Sequence, residues 1–551
     1  MRRVGLALLI LIAGWGLTAA ASGAEDEESE AALLYAHVEQ LRDDPAFTLR
    51  GARIAARRVL PELYTRAGFT RLWPDRAAQE ELLRAIRDSA GDGLDPEDYL
   101  LSTLERSGAE TNAPGASVHT LIEHDILLTE ALIRLLYHLM FGKIDPKTFD
   151  PHWNFTRTVV HREERAAFLQ DLIASGEIYA RIEREKPRHG FYNRLRDAYA
   201  RERERTAHGG WPAVPAGPTL KPGARDPRVP ALRARLAATG ELPPGTGVSS
   251  PEFDATVEAA VEVFQARHGL DADGAVGAAT LAELNVPVEA RLEQMRVNLE
   301  RGRWLLHDLP PTFVVVNVAG FEVYFLRDSE VVWTARAQVG RPYRQTPIFR
   351  SELTYLVLNP TWTVPPSILA HDVLPAQRRD PSYLARKGLK VIDRSGRVVP
   401  ASSIDWSTAT ARNFRYNLRQ DPGPENALGR IKFMFPNPYA VYMHDTPSRS
   451  LFEKSDRAFS SGCIRVERPL ELAELLLAGQ TGWDQTALAR AIAEGKTRAV
   501  TLAAPVPVLL SYWTAWVDRS GTLQFRRDLY GRDARIVAGL AAPFAVRVQD
   551  R

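Results

Sequence analysis

Ser460-Ser461-Gly462-Cys463-Ile464-Arg465 contains the only cysteine in 551 residues. A histidine, His444, lies nineteen positions upstream, in Met443-His444-Asp445-Thr446-Pro447. A lone thiol makes no internal disulfide, so it serves either chemistry or packing. Ser-Ser-Gly reads as a tight turn presenting a thiol beside backbone N–H groups, which is an unusual setting for a core cysteine. Cys463 is therefore a candidate nucleophile. His444 is its candidate base, because a free thiol titrates near 8.5 and needs a group to take its proton.

Working outward, the chain around this pair is β-rich. Phe313-Val314-Val315-Val316-Asn317-Val318, then Gly320, then Phe321-Glu322-Val323-Tyr324-Phe325-Leu326, are β-branched and aromatic runs split by a turn. Val331 to Gly340, Thr354 to Asn359 and Ala440 to His444 add further strands, and Pro469 opens a helix through Leu477. A mostly-β domain with one or two helices is expected over 312–503, with 504–551 left as a C-terminal tail.

Upstream the character changes. Residues 30–205 carry helical spacing, clearest in Ile122, Leu128, Leu132, Leu135 and Leu139, with turn signals at Asp92-Gly93 and Asp95-Pro96. Residues 206–226 read as a linker, since Gly209 to Arg228 holds five prolines. A small unit follows over 227–287. Val257, Val261 and Phe264 repeat at helical spacing, Gly269 is placed to end that helix, and Thr280 falls in the next. Its run of Phe264-Gln265, helix stop, Asp273-Gly274 and Gly277-x-x-Thr280 resembles the peptidoglycan-binding type 1 module, a three-helix bundle.

The first 24 residues set an expected compartment. Arg2 and Arg3 precede an apolar run from Val4 to Ala13, small residues fill Ala19 to Ala24, and acidic residues follow. This is the pattern of an export signal cleaved after Ala21 or Ala24; an uncleaved membrane anchor is the alternative. With 70 basic and 68 acidic residues the net charge is +2, which gives no electrostatic reason to bind nucleic acid. The twelve histidines show no clustered ligand spacing, so neither metal nor cofactor is expected.

His444-x18-Cys463 and its flanks resemble the catalytic domain of the YkuD-type L,D-transpeptidases, and Gly340-Arg341-Pro342 with Thr346-Pro347 resembles that family's upstream strand and turn. The long insertion, 365–424, resembles the cap of a large periplasmic subfamily with a helical scaffold and a wall-binding module. Two positions depart from the common pattern. Asp445 follows the histidine where many members have glycine, and Ser461 replaces a second histidine, leaving His444 as the only base nearby. The resemblance implies a multidomain α+β protein: helical scaffold, three-helix module, and a mostly-β catalytic domain with an inserted capping subdomain.

The resemblance further implies peptidoglycan stem peptides as substrate, a thioester on Cys463, release of D-alanine and 3→3 diaminopimelate cross-links. It implies inhibition by carbapenems, a place among cell-wall synthesis enzymes and a periplasmic location. The backbone N–H groups of Ser461, Gly462 and Cys463 are candidates for an oxyanion hole. A backbone carbonyl near Asp445 would orient the imidazole. Tyr442, Asp445, Arg465 and Trp406 are candidate substrate contacts, Arg465 through a carboxylate. Three other activities are open: an L,D-carboxypeptidase using water as acceptor, a Cys/His wall peptidase, and a non-catalytic wall-binding scaffold.

Overall fold

The structure, a computed structural model, describes residues 21–155, 164–207, 209–247 and 249–544, with side chains from residue 30. The expected export signal lies outside the described residues up to position 20. Among the described residues no helix is long and apolar enough to cross a membrane. The chain forms two compact units.

The first unit is helical and holds the chain up to Phe141 and the segment through Lys186. Its longest buried helix is Val118–Phe141, apolar on most of its circumference, as a central helix must be. Polar groups in its core are paired. Asp125 accepts from the Tyr64 hydroxyl at 2.6 Å and from the N–H groups of Leu72 and Trp73 at 3.1 and 2.8 Å. Burial pushes the Asp125 carboxyl up to about 6.

The second unit contains the module, the β domain and its cap. The module has helices Val229–Thr239, Ala255–Arg267 and Ala278–Leu284 around buried Val257, Val261 and Phe264. Gln265 explains the spacing of its motif. Its Nε2 donates to Asp273 Oδ1, the Ala275 carbonyl and Thr280 Oγ1 at 2.8, 2.9 and 3.1 Å, tying helix, Asp-Gly turn and next helix together. The stretch expected as a free linker is fastened to this module. Val214 and Leu220 are buried in its core, Leu220 bridges Val276, and the Val214 N–H donates to Asn285 Oδ1 at 2.8 Å. Its prolines exclude helix but leave extended backbone free to pair.

The β domain is a nine-stranded sheet. Numbering its strands alone, these are β1 (Phe313–Asn317), β2 (Glu322–Arg327), β3 (Glu330–Gly340), β4 (Phe349–Leu358), β5 (Ile431–Met434), β6 (Met443–His444), β7 (Ala458–Ser460), β8 (Ile464–Val466) and β9 (Arg498–Ser511). Their order is β7-β3-β8-β6-β5-β4-β9-β1-β2, and β2 also pairs with β3, so eight strands close on themselves. The core takes Val314, Phe325, Val339, Leu356, Phe433, Met443, Ile464 and Leu510, with Leu472 and Leu477 from the helix Pro469–Leu477. Residues 362–420 form a separate cap with its own four-stranded sheet and an apolar core of Val364, Val373, Leu384, Leu389, Val391 and Leu418.

Two expected boundaries move. The helix Gly190–Ala207 belongs to the second unit, where Tyr192, Leu195 and Tyr199 pack against Met295, Trp513 and Trp516. Residues 504–542 are no tail. β9 runs through position 504 to Ser511, pairing with β4 on one side and, at Val508–Ser511, in parallel with β1 on the other. The run Ala503-Ala504-Pro505 disguised this strand, and its register shifts between Thr501 and Val506. A chain ending at Ala503 is therefore expected to lack the near-ultraviolet dichroism and cooperative melting of the β domain. Retention of both would show that the segment is dispensable.

Candidate active site

Strand register builds the site. β6 and β8 pair in parallel, Met443 with Ile464 and His444 with Arg465. β5 pairs antiparallel with β6, Lys432 with His444 and Phe433 with Met443. β8 pairs with β3, Arg465 with Gln338. Side chains alternate between faces along a strand, so Phe433, Met443 and Ile464 share the inner face and are fully buried. Lys432, His444, Arg465 and Gln338 then form one row across the opposite face. Tyr442 and Cys463, one step before this alternation, stand on that same face in the adjoining row.

The turn before Cys463 is locked from several sides. Gly462 has φ +118°, a conformation that a side chain resists. Ser460 Oγ donates to the Cys463 carbonyl at 2.6 Å and accepts the Gly462 N–H at 3.0 Å. Thr346 Oγ1 donates to the Gly462 carbonyl and accepts from the Gly340 N–H, both at 2.9 Å. Tyr530, from the segment expected as tail, donates to the Gly340 carbonyl at 2.6 Å. A Cβ on Gly340 would fall 2.2 Å from the Arg344 carbonyl oxygen, so this turn requires glycine there.

His444 is buried, and its Nδ1 is hydrogen-bonded to the Asp445 carbonyl. A carbonyl only accepts, so Nδ1 carries the proton and Nε2 the lone pair. Burial first, then the charges of Arg465 and Lys432, lower the imidazole to about 3. His444 is thus a neutral acceptor through the physiological range. Burial raises the Cys463 thiol, against the Tyr442 backbone N–H, Lys432, Arg465 and the Tyr442 hydroxyl, which all favour the thiolate. At rest both groups are neutral, a thiol and an imidazole with its lone pair on Nε2, and the thiol's hydrogen-bond partner is the Ala440 carbonyl at 4.0 Å.

The other expected site residues divide. Arg465 donates from Nη1 to Gln338 Oε1 at 3.1 Å, its Nε is buried without a hydrogen-bond partner, and it makes no ion pair among the described residues. Burial first, then the neighbouring Cys463, push the Tyr442 hydroxyl up, and Trp362 at the base of the cap opposes that shift. Asp445 is not aimed at the pocket. Its carboxylate accepts the Arg430 N–H at 2.8 Å and Arg449 Nη2 at 3.1 Å, holding the backbone whose carbonyl orients His444. Trp406 is spent inside the cap, donating to the Ala401 carbonyl at 2.8 Å and packing on Phe414. The Gly462 N–H is taken by Ser460. That leaves the N–H groups of Ser461 and Cys463, which have no partner among the described residues, for an oxyanion.

Three residues were missed by the sequence reading. Lys432 was legible, as the one charge in the alternating run Ile431-Lys432-Phe433. Arg344 was not, because its partners lie far along the chain. It contacts Asp372 of the cap at 2.5 Å and donates to Ser461 Oγ at 2.9 Å. Trp362 gave no signal beyond being aromatic.

Comparison with known proteins finds matches for three segments of the chain. Residues 311–492 match the family described as "L,D-transpeptidase catalytic domain". That segment of the chain is similar to L,D-transpeptidase catalytic domains. Residues 58–198 match a family described as "Scaffold domain", and residues 225–284 one described as "Putative peptidoglycan binding domain". A Haemophilus influenzae protein named "Putative L,D-transpeptidase" is 37% identical over 223 residues, which are 40% of this chain and 45% of that protein. The chain thus matches less than half the length of that relative. A crystal structure of the L,D-transpeptidase from Xylanimonas cellulosilytica is 15% identical, covering 54% of this chain and 99% of that one with a TM-score of 0.18. A fused amidase/peptidase with a peptidoglycan-binding domain from Clostridium acetobutylicum is 13% identical, covering 54% and 100%, with a TM-score of 0.15. Scores this low carry no argument about the fold.

Two outcomes follow for this domain. Because His444 titrates at about 3, kcat/KM should stay level from about pH 8 down to about pH 5. An acid limb centred near 6.5 would contradict a neutral buried base. The depressed value also means stability held above about 6.5 should fall progressively as pH drops toward 3, since only the unfolded histidine takes up a proton there. Separately, a Cβ on Gly429 would lie 2.4 Å from the Asp445 carboxylate. Gly429→Ala should displace Asp445 and lower kcat by about tenfold or more with little change in KM; an unchanged kcat would deny the backbone its orienting role.

Proposed function

We propose that this protein is a peptidoglycan L,D-transpeptidase working at the cell wall, in the periplasm. The observation that carries the reading is one thiol and one neutral imidazole on adjacent parallel strands, facing the same way beneath a cap, within a chain that also holds a wall-binding module. Cys463 attacks the carbonyl between diaminopimelate and the terminal D-alanine of a tetrapeptide stem as His444 Nε2 takes the thiol proton. The N–H groups of Ser461 and Cys463 face the developing oxyanion. The carbon–nitrogen bond breaks, His444 returns its proton to the leaving amine, and D-alanine departs. A diaminopimelate side-chain amine from a neighbouring stem then displaces the sulfur and makes the 3→3 cross-link. Arg465, with no acidic partner, is suited to a carboxylate of the stem. The cap favours the amine over water by excluding solvent from the thioester.

The test is direct. After incubation with a carbapenem, the intact mass of wild type should rise by one adduct, located on Cys463, while Cys463→Ala stays unmodified. Muropeptides from treated tetrapeptide-rich sacculi should contain 3→3 dimers. Absence of the adduct would overturn the nucleophile; tripeptides without dimers would make the enzyme a carboxypeptidase.

A further inference from the structure

Some buried cations of the second unit have a carboxylate partner, as Arg303 has in Glu300 and Arg267 in Glu241, both at 2.6 Å. Others, such as Arg235 and Arg465, make no ion pair among the described residues and use neutral oxygens instead. Lys432 is in this second group, and it is a lysine beside the candidate nucleophile's row. It is half-buried on a central strand, yet no carboxylate lies within ion-pair distance of it among the described residues. The nearest acid in the chain's register, Asp445, is committed to Arg449 and the Arg430 backbone. What Lys432 touches is the Tyr442 ring, with its ammonium 3.7 Å from the centroid. A desolvated ammonium without an anion is costly, and the ring returns only about 0.5–2 kcal/mol. Such a charge is free to serve an anion that forms in use.

The register says which anion. Lys432 stands opposite His444 on β5 and β6, but its ammonium leans over Tyr442, which immediately precedes β6 as Cys463 immediately precedes β8. The Ile464 N–H, next to Cys463, donates to the Tyr442 carbonyl at 3.0 Å and holds the two segments side by side. Arg465, the other cation on this face, is drawn the opposite way, toward Gln338 on β3. Lys432 and Arg465 thus flank the row from opposite sides, and both charges favour the Cys463 thiolate.

We infer that Lys432 is a positioning residue for the L,D-transpeptidase reaction, a fixed counter-charge that stabilises the Cys463 thiolate as His444 withdraws the proton. This rests on Cys463 being the nucleophile. The step balances without Lys432 losing a proton: the thiol proton moves to His444 Nε2, sulfur gains the electron pair, and the ammonium stays fully protonated beside it. Burial lowers the lysine and the Cys463 charge opposes that shift, which is the mutual dependence such a pair should show. Other charged or titratable groups around the sulfur are Tyr442 and His444 before and on β6, Arg465 on β8 with Arg341 near it, and the Arg344–Asp372 pair beside the turn.

The experiment is the pH profile of Cys463 alkylation by iodoacetamide, read by mass, in the full chain and in Lys432→Met, Lys432→Gln and Lys432→Arg. The neutral variants should need about one pH unit more alkali for half-maximal alkylation, or about tenfold less thiolate at neutral pH, with kcat falling more than KM rises. Arginine should restore most of the profile. Thermal melting identifies a variant that has unfolded, and the glutamine and arginine variants then decide between charge and packing. Profiles within a few tenths of a unit of wild type, with only KM raised, would overturn the inference and make Lys432 a substrate anchor. A wild-type Cys463 that neither alkylates nor takes up a carbapenem would instead overturn the nucleophile itself.

Discussion

The parallel pairing of β6 with β8 is the constraint on which the site depends. Two short strands, Met443–His444 and Ile464–Val466, are held level by Met443 opposite Ile464, and both of these side chains are buried in the barrel core. A slip of one residue would turn His444 and Cys463 into the core and bring Met443 out. The hydrophobic effect on the inner face therefore sets the chemistry on the outer face. Burial of Phe433, Met443 and Ile464 contributes roughly 2 kcal/mol each, and together these side chains make the slip costly.

Around that pairing the chain builds supports in layers. The Gly340 and Gly462 turns are cross-braced by Thr346 and Ser460, and Tyr530 reaches the same turn from the C-terminal segment. Asp445 holds the backbone that aims His444. The cap has its own core, so it can form as a body, and Arg344 joins it to Ser461, two residues before Cys463, through Asp372. Catalytic groups placed on rigid strands with locked neighbours need little reorganisation as charge develops.

How much of this could be read beforehand depended on distance along the chain. Cys463, its turn and His444 were legible because glycine, serine and a lone thiol have local meaning. The module was legible because Phe264-Gln265, Asp273-Gly274 and Thr280 serve one hydrogen-bonding centre. Strand β9 was hidden because Ala503-Ala504-Pro505 looks like a break, and what continues it is pairing with β4 and β1, well over a hundred residues upstream. Asp445 and Trp406 were assigned to substrate by their residue type, whereas their partners, Arg449 and Arg430 for one and Ala401 and Phe414 for the other, use them for structure. Arg344 bridges three separated segments, which no local pattern announces.

The central claim is that this register makes Cys463 a thiol that carries a peptidoglycan stem while D-alanine leaves. Rapid quenching of the full chain with a purified tetrapeptide stem, followed by intact-mass measurement, tests it most directly. The account predicts a transient species heavier than the enzyme by the stem minus D-alanine, labile to hydroxylamine and mapped to Cys463. D-alanine released at the wild-type rate by Cys463→Ser, or an acyl group mapped to any other residue, would contradict it.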